Sequence, residues 1–253
     1  MLILKLITVP LFIVLISFVG KKWGSQIAGT LGAFPVVAGP IIFFLTIEQG
    51  LSFGAQASIF VIYGSISILI FGLTYVWACR FLHYIPCLFM SLVAWCFTAF
   101  LLSLCPKNLL FPTALAAGFL SVIPYLLPKS IIQNKSPQGL KDLPIRMIVG
   151  MLLTISITSL ANYLGAVWSG ILSVFPVVTL VLVVFSHRSH GQDQVLQVFK
   201  GLSKGIYSFV TYFVIYASFI EQLSLWQTLL ASIIGSLLVQ LVIRMKFLSS
   251  KSI

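Results

Sequence analysis

The sequence predicts an all-α integral membrane protein of about nine transmembrane helices, arranged as an inverted-topology internal repeat of four spans, one linking span and four more. Three observations carry this expectation. Of 253 residues, 60% are hydrophobic and only 8% are charged, whereas a soluble domain needs about 25% charged residues to build its surface. Apolar runs of about 17–25 residues, the length that crosses a hydrocarbon core, recur from end to end. A fourteen-residue segment also returns 141 residues later.

The apolar runs divide the chain into nine expected spans: Leu2–Gly20, Gly24–Ile47, Phe53–Cys79, Leu82–Leu104, Leu109–Pro128, Ile145–Tyr163, Gly165–Ser186, Leu202–Ile220 and Leu223–Val242. The first is read as a retained span and not a cleaved signal, because Lys21 and Lys22 follow the apolar run instead of preceding it. The fifth is punctuated by Pro112, Pro124 and Pro128, which membrane helices accept more readily than soluble ones. Between the fifth and sixth spans, Lys129–Leu143 carries linker residues, with Asp142 and Pro144 placed to cap and open the next helix. The expected units are residues 1–105 as the first repeat, 106–143 as linking span and loop, and 144–253 as the second repeat.

Charge sets the orientation. The net charge of +11 comes with no aromatic-interleaved basic stripe, so it reads as topology and excludes nucleic acid as a partner. With Lys21 and Lys22 inside, every other Lys and Arg except Lys5 and Lys107 falls on the same face. The positive-inside rule then places the N-terminus out and the C-terminus in. Cys79, Cys87, Cys96 and Cys105 form no C-x-x-C pair and read as small core residues.

The repeat is specific. Residues 24–37 and 165–178 are identical at seven of fourteen positions: Gly24/Gly165, Gly29/Gly170, Leu31/Leu172 and the run Phe34-Pro35-Val36-Val37 against Phe175-Pro176-Val177-Val178. Chance would give about one or two. Phe44/Phe185, Gly50/Gly191, Gln56/Gln197, Gly64/Gly205, Ser67/Ser208 and Tyr75/Tyr216 keep the same offset without a gap. The second and seventh spans are an odd number apart, so the second copy enters the membrane upside down, the construction of many secondary transporters.

Pro35 and Pro176 fall near the middle of their spans, where each removes a backbone donor and is expected to free a carbonyl near Leu31 or Leu172. Gly29, Gly32, Gly39 and Gly170 admit close backbone approach, and Gly39-Pro40 breaks the second span again. Gln56 and Gln197 are polar and repeat-related. These ten residues (Gly29, Leu31, Pro35, Gly39, Pro40, Gln56, Gly170, Leu172, Pro176 and Gln197) form the candidate substrate site, with kinked packing helices as the alternative. Thr154, Ser156, Thr158, Ser159, Tyr63, Ser65 and Ser67 read first as hydroxyls bonded to their own helices. Glu48 and Glu221 read as solvated span ends, and Lys200 and Lys204 as interfacial anchors. His187 and His190 lack an acid or Cys at ligand spacing, so no metal or other cofactor is expected. No catalytic signature appears, which argues against an enzyme.

From Ile27-Ala28-Gly29 through Phe34-Pro35 to Glu48-Gln49-Gly50, the sequence resembles the GlpM-type small bacterial inner-membrane proteins and longer membrane proteins with the same pattern. The resemblance covers about residues 20–80 and, more faintly, 163–220. It implies a bacterial inner-membrane location and transfers no functional residue. The function expected is a secondary transporter or permease for a small solute. The alternative is a non-transporting scaffold or accessory subunit of envelope polysaccharide or lipid assembly. The expected partners are the lipid bilayer and a small molecule or ion, with a homodimer admissible. Topology is directly measurable: reporter fusions after Lys107 and after Lys141 should report opposite faces, and two cytoplasmic signals would remove the fifth span and the inversion with it.

Overall fold

A computed structural model of the chain describes residues 2–128, 143–161 and 165–249. Among these residues the structure is eleven α-helices and no strand. In order they are α1 (Leu2–Trp23), α2 (Ser25–Gly32), α3 (Ala38–Gln49), α4 (Leu51–Ala78), α5 (Tyr84–Ser103), α6 (Leu110–Leu126), α7 (Leu143–Ala161), α8 (Gly165–Ser173), α9 (Val177–His190), α10 (Gln192–Phe219) and α11 (Leu225–Ser249). Helix is the expected outcome for so apolar a chain, since without water each backbone N–H and C=O needs an internal partner. The linker at 129–142, with its Asp142 cap, lies outside the described residues, as do the side chains of Thr154, Thr158 and Ser159.

Among the described residues four stretches are long and apolar enough to cross a membrane: Leu51–Ala78, Tyr84–Ser103, Gly165–His190 and Leu225–Met245. α3, α6 and Leu143–Leu153 are shorter apolar helices. Helix α6 runs through Pro124 and is tied to α4 where the Trp77 indole N–H donates to the Leu126 carbonyl at 3.0 Å. The expected second and seventh ranges each prove to be two helices, α2 with α3 and α8 with α9. The expected eighth starts ten residues earlier than its apolar run, because α9 turns through Gly191 alone into α10. Asp193 in the first turn of α10 suits the positive end of the helix dipole.

The offset of 141 reappears in the helices. Leu2 and Leu143 open α1 and α7, Leu51 and Gln192 open α4 and α10, and Tyr84 and Leu225 open α5 and α11. Helices α4 and α10 are both 28 residues long. The positive-φ glycines among the described residues are two pairs with this spacing, Gly24/Gly165 and Gly50/Gly191. Gly24, Gly50 and Gly191 each sit where one helix turns directly into the next, and Gly165 opens α8; positive φ is a conformation that side chains resist.

Packing exchanges partners between the two halves: α2 lies on α10, α8 lies on α4, and α4 and α10 cross. A Cβ on Gly29 would fall on the Val198 carbonyl, and one on Gly170 would fall on the Ala57 carbonyl. A Cβ on Gly205 would meet Thr30 and Ala33, while one on Gly64 would lie 3.0 Å from Val174 Cγ2 and 3.3 Å from the Ile171 carbonyl. In each pair the contacted residues are themselves 141 apart. Glycine is retained at these points because main chain meets main chain.

Hydrogen bonds follow the same plan. The Thr30 hydroxyl lies 3.0 Å from the Gln26 carbonyl and 3.1 Å from the Gly201 carbonyl, to which it donates across to α10. Gln194 Nε2 donates to Ser25 Oγ. Tyr216 meets Thr46 on α3 at 3.0 Å, and Tyr75 meets His187 on α9 at 3.4 Å. These two pairs are also 141 apart. Within its membrane-length window α4 is 72% buried, against 28% for α5 and 17% for α11, so α4 and α10 form the core and α5 and α11 the outer wall. All four cysteines are free; Cys79 and Cys87 are buried as expected of small core residues, whereas Cys96 is exposed and Cys105 half-buried, because α5 lies on the outer wall.

The crossings generate a contrast. Gly29→Val and Gly170→Val should each destabilise the protein by about 1–3 kcal/mol in detergent melting, because a side chain there displaces backbone. Gly118→Val on α6, where nothing lies within 4 Å of the new Cβ, should leave melting nearly unchanged.

Candidate substrate site between the two helix breaks

The breaks 33–37 and 174–176 have the same local construction. Phe34 N–H donates to the Leu31 carbonyl and Phe175 N–H to the Leu172 carbonyl, both at 3.0 Å. Val36 N–H then donates to the Phe34 carbonyl at 2.8 Å, and Val177 N–H to the Phe175 carbonyl at 2.6 Å. Gly39 N–H reaches the Pro35 carbonyl at 2.8 Å, and Leu180 N–H reaches the Pro176 carbonyl at 2.7 Å. The Leu31 and Leu172 carbonyls, expected to be free, are therefore occupied. The chain tightens into a shorter turn before each proline and captures them.

Other groups stay open. Among the described residues, the N–H groups of Val37 and Ala38 and of Val178 and Thr179 find no acceptor, and neither α3 nor α9 has a side-chain cap. The carbonyls of Gly32 and Ala33 and of Ser173 and Val174 likewise accept no hydrogen bond there. All eight residues line a single cavity of about 60 Å³, together with Phe34, Phe175, Pro176, Ser65, Ile68, Leu202, Ile206 and Phe209. By volume this is room for about four water molecules. Residues of both breaks thus border one space, and each break includes two N–H groups and two carbonyls left without a partner among the described residues.

Hydroxyls in the wall differ in state. Ser65 Oγ donates to the Ile62 carbonyl at 2.6 Å, and Ser173 Oγ to the Gly170 carbonyl at 2.7 Å. Thr179 is 3% exposed, lines the cavity and has no hydrogen-bond partner for its hydroxyl among the described residues. The carbonyl one turn back, that of Phe175, is already taken by Val177. Among the described residues no charged side chain lines the cavity.

Of the ten residues expected to form the site, only Pro176 borders the cavity. Gly29 and Gly170 belong to the backbone crossings, where packing accounts for them. Leu31 and Leu172 sit just before the breaks. Pro35 lies within its break without reaching the cavity wall. Gly39 packs toward Tyr212, whose hydroxyl would lie 3.2 Å from an added Cβ, and Pro40 continues α3 instead of breaking it again. Gln56 and Gln197 lie half-buried in the second turns of α4 and α10, away from the cavity.

Arg146, one of the cations that the orientation count places inside, is 1% exposed, with its guanidinium 4.9 Å from the Phe185 ring centre on α9. Glu48 and Glu221 are exposed at helix ends. Among the described residues no cluster of His, Cys, Asp or Glu is arranged to hold a metal. The sequence matches no protein-family model, and neither curated proteins nor solved structures give a match.

Proposed function

We propose that the protein is a secondary transporter or permease for a small solute, with the cavity between the two helix breaks as its binding site. The observation that carries this reading is that the cavity is bordered by positions 32–34 and 37–38 of one half and by the matching positions 173–175 and 178–179 of the other. Discontinuous helices in corresponding positions of two repeats are the construction that many transporters use at their binding sites. In this reading the chain crosses the membrane nine times, α2 with α3 and α8 with α9 each making one crossing. Residues 1–105 and 144–253 are inverted repeats, α6 links them, and the N-terminus is outside. Rocking of one repeat against the other then opens the same site to either face. The bacterial inner membrane is the setting suggested by the GlpM-type resemblance, and the reading is not an enzymatic one.

The glycine crossings favour a second reading. Main chain locked against main chain is what a rigid, non-transporting scaffold in envelope assembly needs.

Filling the site separates the two. Ala38→Leu in proteoliposomes should lower solute uptake roughly tenfold or more, a loss of about 1.4 kcal/mol per decade, while detergent melting stays within a degree or two of the parent. Pro35→Ala and Pro176→Ala, which would let a regular helix replace the breaks that border the cavity, should also lower uptake more than stability. Uptake that merely follows melting across the three variants would sink the transport reading and favour the scaffold.

A further inference from the structure

The cavity's chemistry points to a class of solute, an inference that rests on the transport reading of this same site. We propose that it selects a small solute of no net charge that presents both hydrogen-bond donors and acceptors, as amides and polyols do.

The argument starts from charge. Helices α3 and α9 begin at the cavity, and helices α2 and α8 end there. A helix start carries the equivalent of roughly half a positive charge and a helix end roughly half a negative one. Two of each leave the site close to neutral. Among the described residues no ionised side chain lines it to shift that balance. An ion entering would lose its hydration with no counter-charge, which is strongly unfavourable in a low-dielectric interior.

Hydrogen bonding gives the second part. Residues of the wall carry backbone groups with no partner among the described residues: N–H at Val37, Ala38, Val178 and Thr179, and carbonyls at Gly32, Ala33, Ser173 and Val174. A carboxylate uses only the donors and an ammonium only the acceptors. An amide or a polyol uses both sets. Phe34, Phe175, Ile206 and Phe209 enclose the remaining surface and accept a carbon skeleton.

The Thr179 hydroxyl points independently to a ligand. It is buried, faces this cavity and has no partner within the described protein, whereas Ser65 and Ser173 beside it are each bonded to their own helix. Its counterpart 141 residues earlier is Ala38. One wall therefore holds an extra group able to donate or accept, which orients the solute.

The test uses acetamide and glycerol as neutral probes, with acetate and methylammonium as charged ones, on the full chain. In detergent, the neutral probes at millimolar concentration should raise the melting temperature and the charged ones should not. Thr179→Val should weaken that effect at least fivefold without lowering the unliganded melting temperature, and Thr179→Ser should retain it. If the valine variant folds poorly, Thr179→Ala is read in the same way. In proteoliposomes, uptake of the neutral probes should ignore a potassium–valinomycin potential. Neutral probes that bind without crossing would leave the chemical class standing and remove transport. A charged probe that binds or crosses in preference would overturn the class and leave transport standing. No binding by any probe, or binding indifferent to residue 179, would overturn the proposal.

Discussion

Backbone contact between α2 and α10, and between α8 and α4, is the constraint on which the rest of the structure depends. Within a bilayer, burial of apolar surface gives helices little reason to associate, since lipid is as apolar as the helix face. Close van der Waals packing and hydrogen bonds must serve instead. Gly29 against the Val198 carbonyl and Gly170 against the Ala57 carbonyl supply the packing. Thr30 donating to the Gly201 carbonyl and Gln194 donating to Ser25 add hydrogen bonds on one side. Packed on their partners, α2 and α8 each end in the turn before a proline, Pro35 or Pro176, which cannot continue the helix's hydrogen bonds. The breaks at 33–37 and 174–176 follow, and with them the cavity.

That dependence explains what the sequence disclosed. Identity between the halves survives where geometry leaves no choice: at Gly24/Gly165 and Gly50/Gly191, which turn with positive φ, and at Gly29/Gly170 and Gly64/Gly205, which admit a neighbouring backbone. The prolines marked the breaks for the same reason. What followed from the prolines was misjudged, because Phe34 and Phe175 turn back to Leu31 and Leu172 and capture the carbonyls that a simple kink would free. The start of α10 was hidden by Gln192, Asp193, Gln194 and Gln197. Polar residues suggested a loop, and only the contact with α2 accounts for a helix there.

Most of the cavity wall was illegible for a physical reason. Its open groups belong to the main chain, and any residue carries those. Ala33, Val37, Val174 and Val178 advertise nothing in a sequence that is mostly apolar. Matched polar residues misled in the opposite direction, since Gln56 and Gln197 are repeat-related and lie away from the cavity. Arg146 went unrecognised because charge counting treats every cation near a span end alike, and its position against Phe185 is a fact of tertiary packing.

Symmetry divides between backbone and side chain. The open donors and acceptors match position for position across the two halves, while the polar side chains do not: Ser65, Ser173 and Thr179 are opposed by Ile206, Gly32 and Ala38. The ties at the far ends of the half-helices diverge too, with Thr46 holding Tyr216 where His187 holds Tyr75. In the proposed mechanism these two properties have separate roles. A site that opens alternately to either face needs two arrangements of similar free energy, and a matched backbone at both breaks favours that equality. A solute that must bind in one orientation needs the opposite, a wall whose two sides differ. Backbone groups resist mutation because every residue carries them, so the first property persists by default. The second can evolve one side chain at a time, as the exchange of alanine for threonine between positions 38 and 179 illustrates.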